Sequence, residues 1–182
     1  MATTVLAGLF AFTAGGIGGY VAASRLTPQF GPTHCVGSAK ACIPELDAAS
    51  VIGTLKAQGH TCTKSADNRN CVLQIGLTQY AFTLEMVGGQ IRTYSAQVST
   101  VIDGAPSSEA TQPGKAAISY LEWSAHLPYA HEPEFEAQIN TWLHRQVKTR
   151  ATAVADVGGY RYEIDATAGN IVDLDVDAVI RR

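Results

Sequence analysis

Four cysteines carry the most specific chemistry in this 182-residue chain: Cys35, Cys42, Cys62 and Cys71, all within a span of 37 residues. None belongs to a Cys-x-x-Cys pair. The spacing therefore argues against a zinc knuckle or a thioredoxin-type motif and for two disulfides in an oxidising compartment. Local pairing is the simplest arrangement, Cys35 with Cys42 closing a loop and Cys62 with Cys71 bridging a hairpin, although three connectivities are open. His34 and His60 stand close to cysteines and leave a distorted metal site as the rival reading. A second constellation joins Glu122 and His126, one helical turn apart, to His131 and Glu132 beyond Pro128-Tyr129. Two imidazoles and two carboxylates suit a metal, but a solvated helix end laced with ionic pairs accounts for them as well. Asp173, Asp175 and Asp177 alternate along a strand and share one face. They lack the Gly and Glu of a calcium-binding loop, so they read as a solvated strand face that discourages edge pairing. His144, beside Arg145, reads as surface. No Gly-x-Ser-x-Gly, His-Glu-x-x-His or P-loop is present. The expectation is a chain without catalytic residues, resident metal or cofactor, with a small metal-dependent enzyme using His126 and His131 as an alternative.

The distribution of charge divides the chain. All 29 charged side chains (13 Lys+Arg and 16 Asp+Glu, net −3) lie between Arg25 and Arg182. A mildly acidic balance without a basic face excludes the usual nucleic-acid binder. Val5 to Ala23 holds nineteen residues without a charge, Asn, Gln or Pro, which as a helix spans roughly 28 Å, about the hydrocarbon thickness of a bilayer. Ala7, Ala11, Gly15, Gly19 and Ala23 recur every fourth position and form a small-residue stripe, the pattern that lets helices approach closely in lipid. Residues 1–24 are thus expected to be a transmembrane anchor, associating with a transmembrane partner or with a second copy through that stripe. Cleavage of a signal peptide after Ala23 is the alternative, weakened by an amino terminus without Lys or Arg. A dinucleotide turn at Gly16-Ile17-Gly18 fails because position 21 is Val and no acidic second strand follows. The cysteines place the remaining domain outside the cytoplasm, whereas Arg25 taken alone weakly favours the opposite orientation. High alanine, with eight Arg to five Lys, fits a GC-rich bacterial genome.

The elements that must position these residues follow from periodicity. Residues 25–43, with Pro28, Gly31, Pro32 and Gly37, read as a linker, and 44–182 as the folded domain. Pro44 opens a helix over 44–58 with Ala48, Val51, Ile52 and Leu55 inward, ended at Gly59. Short strands at 60–63 and 71–76 flank a polar turn over 65–70. Tyr80 to Val87 and Gln90 to Val98 alternate cleanly around Gly88-Gly89, the signature of a hairpin. A helix near 115–127 carries Ile118, Leu121 and Ala125. Another, over 133–148, carries Phe135, Ile139, Trp142, Leu143 and Val147. Tyr160, Tyr162 and Ile164 alternate before the turn Gly169-Asn170, and Ile171 to Ile180 returns.

An offset of 80 residues pairs Tyr80 with Tyr160, Phe82 with Tyr162, Leu84 with Ile164, Glu85 with Asp165, Gly89 with Gly169, Gln90 with Asn170 and Ile91 with Ile171. The domain therefore reads as α+β, two helix-plus-hairpin units (44–100 and 115–182) whose strands form one antiparallel sheet with helices on one face. The closing segment Tyr160-Arg161-Tyr162-Glu163-Ile164-Asp165-Ala166-Thr167-Ala168-Gly169-Asn170-Ile171 resembles the final hairpin of PepSY domains over about 20 residues, with Ala168 where that family usually has Thr. The resemblance implies an envelope-located, non-catalytic module that binds or inhibits partners. Taken together, the expectation is a single-pass membrane protein whose C-terminal domain lies outside the cytoplasm as an accessory or partner-binding subunit of an envelope complex. A secreted binding module released by cleavage is the alternative.

Overall fold

The computed structural model describes residues 31–100, 114–129, 132–168 and 170–180. The leader stripe Ala7, Ala11, Gly15, Gly19 and Ala23 lies outside these residues. Among the described residues, no helix is long and apolar enough to cross a membrane.

Residues 31–43, expected as linker, are instead built into the domain. β1 (Thr33–His34) and β2 (Ala41–Cys42) form a small antiparallel ladder, and the Cys35–Cys42 disulfide closes it. The Val36 amide donates to the Gln90 side chain at 2.6 Å, and the Ile43 amide donates to the Ile91 carbonyl at 2.8 Å. Cys42 and Ile43 are buried. Helix α1 spans Ala48–Ala57, not 44–58. Asp47 caps it, accepting from the Ser50 amide at 2.8 Å, while Pro44 and Glu45 stay outside the helix. Gly59, at φ +98°, ends α1: its amide donates to the Lys56 carbonyl and that of His60 to the Leu55 carbonyl, a Schellman pair.

β3 (Thr61–Ser65) and β4 (Asn68–Ile75) are longer than the pattern indicated and turn over only Ala66 and Asp67. Cys62 and Cys71 face each other across them and are disulfide-bonded. β5 (Thr78–Val87) and β6 (Gln90–Thr100) form the expected hairpin, with a bulge at Glu85/Met86. Helix α2 (Lys115–His126) runs into a 3-10 turn at Leu127–Tyr129, and α3 spans Pro133–Thr149. β8 (Tyr160–Asp165) and β9 (Ile171–Ala178) follow the pattern, but β7 (Thr152–Val157) was not foreseen. Its inward positions Ala153 and Ala155 are too small to mark an alternation.

Among the described residues the fold is α+β: three helices and a seven-stranded antiparallel sheet in the order β3-β4-β5-β6-β9-β8-β7. One face is apolar across its width, as in the cross-strand row Leu84, Tyr94, Val176, Tyr162, Ala155. It packs beneath Leu121 and Ala125 of α2 and Ile139, Leu143 and Val147 of α3. The opposite row, Thr83, Ser95, Asp175, Glu163, Val154, lies on the uncovered face. β9 lies inside the sheet between β6 and β8, so the aspartates along it guard no edge.

The 80-residue offset has a geometric counterpart. Tyr80 pairs with Val98 as Tyr160 pairs with Ala178, and Leu84 with Tyr94 as Ile164 with Leu174. Ser95 and Asp175, themselves related by the offset, face each other at the β6–β9 junction, where a local two-fold relating the two halves would pass. The correspondence stops at the third strands, because β4 and β7 pair with their neighbours in different registers.

Candidate functional site

A groove of about 290 Å³ opens where the end of α1, strands β4 and β5 and the first turns of α2 meet. His60 enters it because the Schellman pair at Gly59 reverses the chain there. Leu73, Ile75 and Tyr80 come from the strands, and Tyr120 and Trp123 from α2. Its walls are aromatic: the Tyr120 ring stacks on His60 (centroids 5.8 Å apart, planes at 16°), meets Tyr80 edge-on at 5.2 Å and leans on Trp123 at 5.9 Å. At its mouth Ile75 and, in the adjoining β4–β5 turn, Leu77 each remain 60% exposed. Among the described residues, no formally charged side chain lines the groove.

Among the described residues, two buried polar atoms in these walls have no partner, His60 Nε2 and the Tyr120 hydroxyl oxygen. The His60 Nδ1 lies 3.0 Å from the Leu55 carbonyl oxygen, which only accepts, so Nδ1 carries the proton and Nε2 offers a lone pair. Burial pushes the imidazole below the ordinary histidine range, opposed by that Leu55 bond. Burial pushes the Tyr120 phenol well above its ordinary range, so it stays a neutral hydroxyl. Leaving a buried polar atom unpaired costs about 1–3 kcal/mol, a penalty that an occupant with hydrogen-bonding groups removes. An arrangement with two orphaned polar atoms in an aromatic cleft suits binding. Among the lining residues nothing provides a paired nucleophile and base.

The residues singled out by spacing go elsewhere. All four cysteines are disulfide-bonded in the local pairing, and none is free. That state belongs to an oxidising, extracytoplasmic compartment. Glu122 and His126 do not converge: Glu122 meets His144 on α3 at 2.7 Å, and His126 Nε2 lies 2.7 Å from the Asn140 side-chain oxygen. Both contacts tie α2 to α3. His131 lies outside the described residues. Among the described residues, no group of three or more His, Cys, Asp or Glu side chains is arranged to hold a metal ion. On the uncovered sheet face Asp175 stands opposite Glu163, and Asp173 opposite Asp165. Burial, followed by Asp173, Asp177 and Glu163, raises the Asp175 carboxyl above its ordinary range.

The groove residues were missed because Tyr80 and the turns of α2 read simply as core alternation. The available signal was His60 placed directly after a helix-ending Gly, together with two aromatics three apart, Tyr120 and Trp123, on a short helix. No protein-family model, curated protein or solved structure matches the chain.

Proposed function

We propose that the chain is a non-catalytic partner-binding module of the cell envelope, held at the membrane by residues 1–24, with its domain outside the cytoplasm. The single observation that carries the binding role is the aromatic groove, with its orphaned His60 and Tyr120 atoms, the exposed Ile75 in its wall and the exposed Leu77 in the adjoining turn. Exposed apolar residues bordering a concave aromatic surface mark an interaction site more often than a catalytic one. The two disulfides support the compartment, and the PepSY-like closing hairpin agrees with a module that binds rather than transforms. The uncharged leader and its small-residue stripe support anchoring and lateral association in lipid. On this reading the 80-residue echo reflects two related helix-and-strand units, one of which was left with an open groove.

The test is a photoreactive side chain placed at Leu77 of the full-length protein in its native envelope, with Val154 on the far sheet edge as the control position. A discrete adduct from Leu77, absent from Val154, is the expected result. Irradiation that leaves only unmodified chain at both positions overturns the proposal.

A further inference from the structure

The two halves of the sheet treat their equivalent tyrosines differently. Tyr160, on β8, is buried, meets Tyr129 edge-on at 5.4 Å and donates its hydroxyl to the Glu45 carboxylate. Tyr129 in turn leans on Phe135 at 4.8 Å. Glu45 sits in the Ile43–Leu46 turn that follows the Cys35–Cys42 loop, closed by the Leu46 amide on the Ile43 carbonyl at 3.4 Å, between the buried Ile43 and the partly buried Leu46. Its other carboxylate oxygen accepts from the Gly31 amide at 3.3 Å. Tyr80, 80 residues earlier, meets Tyr120 edge-on at 5.2 Å, and Tyr120 leans on Trp123 just as Tyr129 leans on Phe135. The strand register around the two tyrosines is the same. Among the described residues nothing equivalent to the Glu45 segment lies against Tyr80; the neighbouring Tyr120 hydroxyl has no hydrogen-bond partner there, and the open groove takes that place.

We infer that the groove receives a turn of a partner protein that delivers a glutamate or aspartate carboxyl group, flanked by apolar side chains as Glu45 is, to the Tyr80 and Tyr120 hydroxyls. This deepens, and rests on, the partner-binding reading. The apolar flanks fit Leu73, Ile75 and Trp123, as Ile43 and Leu46 pack in the other half. Among the described residues, the titratable groups lining the groove from α1, β4, β5 and α2 are His60, Tyr80 and Tyr120. Both phenols donate to an arriving carboxylate, and the free Nε2 of His60 takes up the proton that lets a third bond form. Binding therefore takes up one proton.

The probe is a capped peptide with the sequence of residues 41–46 carrying Cys42→Ser, compared with the same peptide also carrying Glu45→Gln. Both are titrated into the full chain by calorimetry in buffers of different ionisation heat, with the Trp123 indole resonance followed by NMR. The expected result is proton uptake, a Trp123 shift, and about tenfold weaker binding of the Gln peptide, since hydrogen bonds to a charged acceptor are the stronger class. Tyr80→Phe and Tyr120→Phe should each weaken the Glu peptide by about fivefold or more, while Tyr160→Phe leaves it unchanged. Equal affinity of the two peptides, no binding at millimolar peptide, or dependence on Tyr160 in place of Tyr80 overturns the inference. The Leu77 crosslink separates the two failures. An adduct formed in undiminished yield by the Tyr80→Phe/Tyr120→Phe chain removes the carboxyl group but leaves partner binding standing, and no adduct in either chain removes both.

Discussion

At the scale of single residues, buried hydroxyls do much of the positioning. The Tyr94 hydroxyl donates to the Ser124 carbonyl at 2.7 Å and the Tyr162 hydroxyl to the Ala125 carbonyl at 3.0 Å. These are carbonyls in the last turn of α2, where helical pairing runs out; that of Ser124 also accepts from the Leu127 amide. Burial keeps both phenols protonated far above their ordinary range. Tyr162→Phe removes the hydroxyl bonded to the Ala125 carbonyl and should lower unfolding free energy by about 1–2 kcal/mol. Tyr94→Phe leaves the Ser124 carbonyl its Leu127 amide and should cost less, about 0.5–1 kcal/mol. Urea denaturation of Tyr94→Phe and Tyr162→Phe measures it, and unchanged midpoints would show that the bonds do not contribute. Asp175 behaves in the opposite sense. Its carboxyl is raised by partial burial and by Asp173, Asp177 and Glu163, so the folded chain holds that proton to higher pH than the unfolded chain does. The charged form therefore destabilises the fold above the folded-state value, and the penalty disappears as pH falls toward the ordinary 3.8. Asp175→Asn should raise the melting temperature at pH 7 and leave it unchanged near pH 3; a gain of equal size at both values would exclude this cause.

At the scale of elements, two constraints decide where strands can turn and stay paired. Gly158, at φ +53°, begins the β7–β8 turn directly against Tyr129, and a Cβ there would lie 2.2 Å from the Tyr129 hydroxyl. That hydroxyl donates to the Val157 carbonyl, so the ring cannot retreat without losing a buried bond. Gly158→Ala should cost about 2 kcal/mol or more through backbone strain and collision together. Thermal unfolding checks it, and a wild-type melting temperature for the variant would mean that Tyr129 yields freely. The edge strand β3 depends on its covalent tie to β4. Cys62→Ser/Cys71→Ser should lower stability by about 2–3 kcal/mol for a loop of this size. Hydrogen exchange should then accelerate in β3 ahead of the inner strands β6 and β9. Uniform acceleration across the sheet would indicate that β3 is not a separately opening unit.

At the scale of the whole molecule, one sheet carries two different surfaces. Its covered face supports the helices and the aromatic groove; its other face presents a polar, acidic surface along β8 and β9. The disulfide-bonded state is a property of the entire chain and can be read from its mass. Intact, non-reduced protein extracted from native membrane should be about four hydrogens lighter than the full-length reduced chain, since each disulfide removes two. A mass lacking the first 23 residues would replace the anchor with a cleaved leader. A mass with all four thiols intact would place the domain in a reducing compartment.

The sequence by itself determined the α+β class, the two central hairpins and most of the inward faces of the three described helices, and it made the local disulfide pairing the simplest of three, which the structure adopts. Each of these is a short-range matter of alternation, helical spacing or loop closure. On α2 it put Ile118 inward, where Ala117 and Ser124 are buried instead. It also carried the offset that relates Tyr80 to Tyr160, because identical registers leave identical patterns. Only the tertiary structure decided that residues 31–43 belong to the domain, since single hydrogen bonds to the Gln90 side chain and the Ile91 carbonyl across some fifty positions leave no periodic trace. Only it separated Glu122 from His126 by giving each a partner on α3. The groove was equally hidden: it exists because Glu45 fills the place beside one tyrosine and nothing among the described residues fills the place beside the other. Which of two equivalent positions stays open is settled by long-range packing.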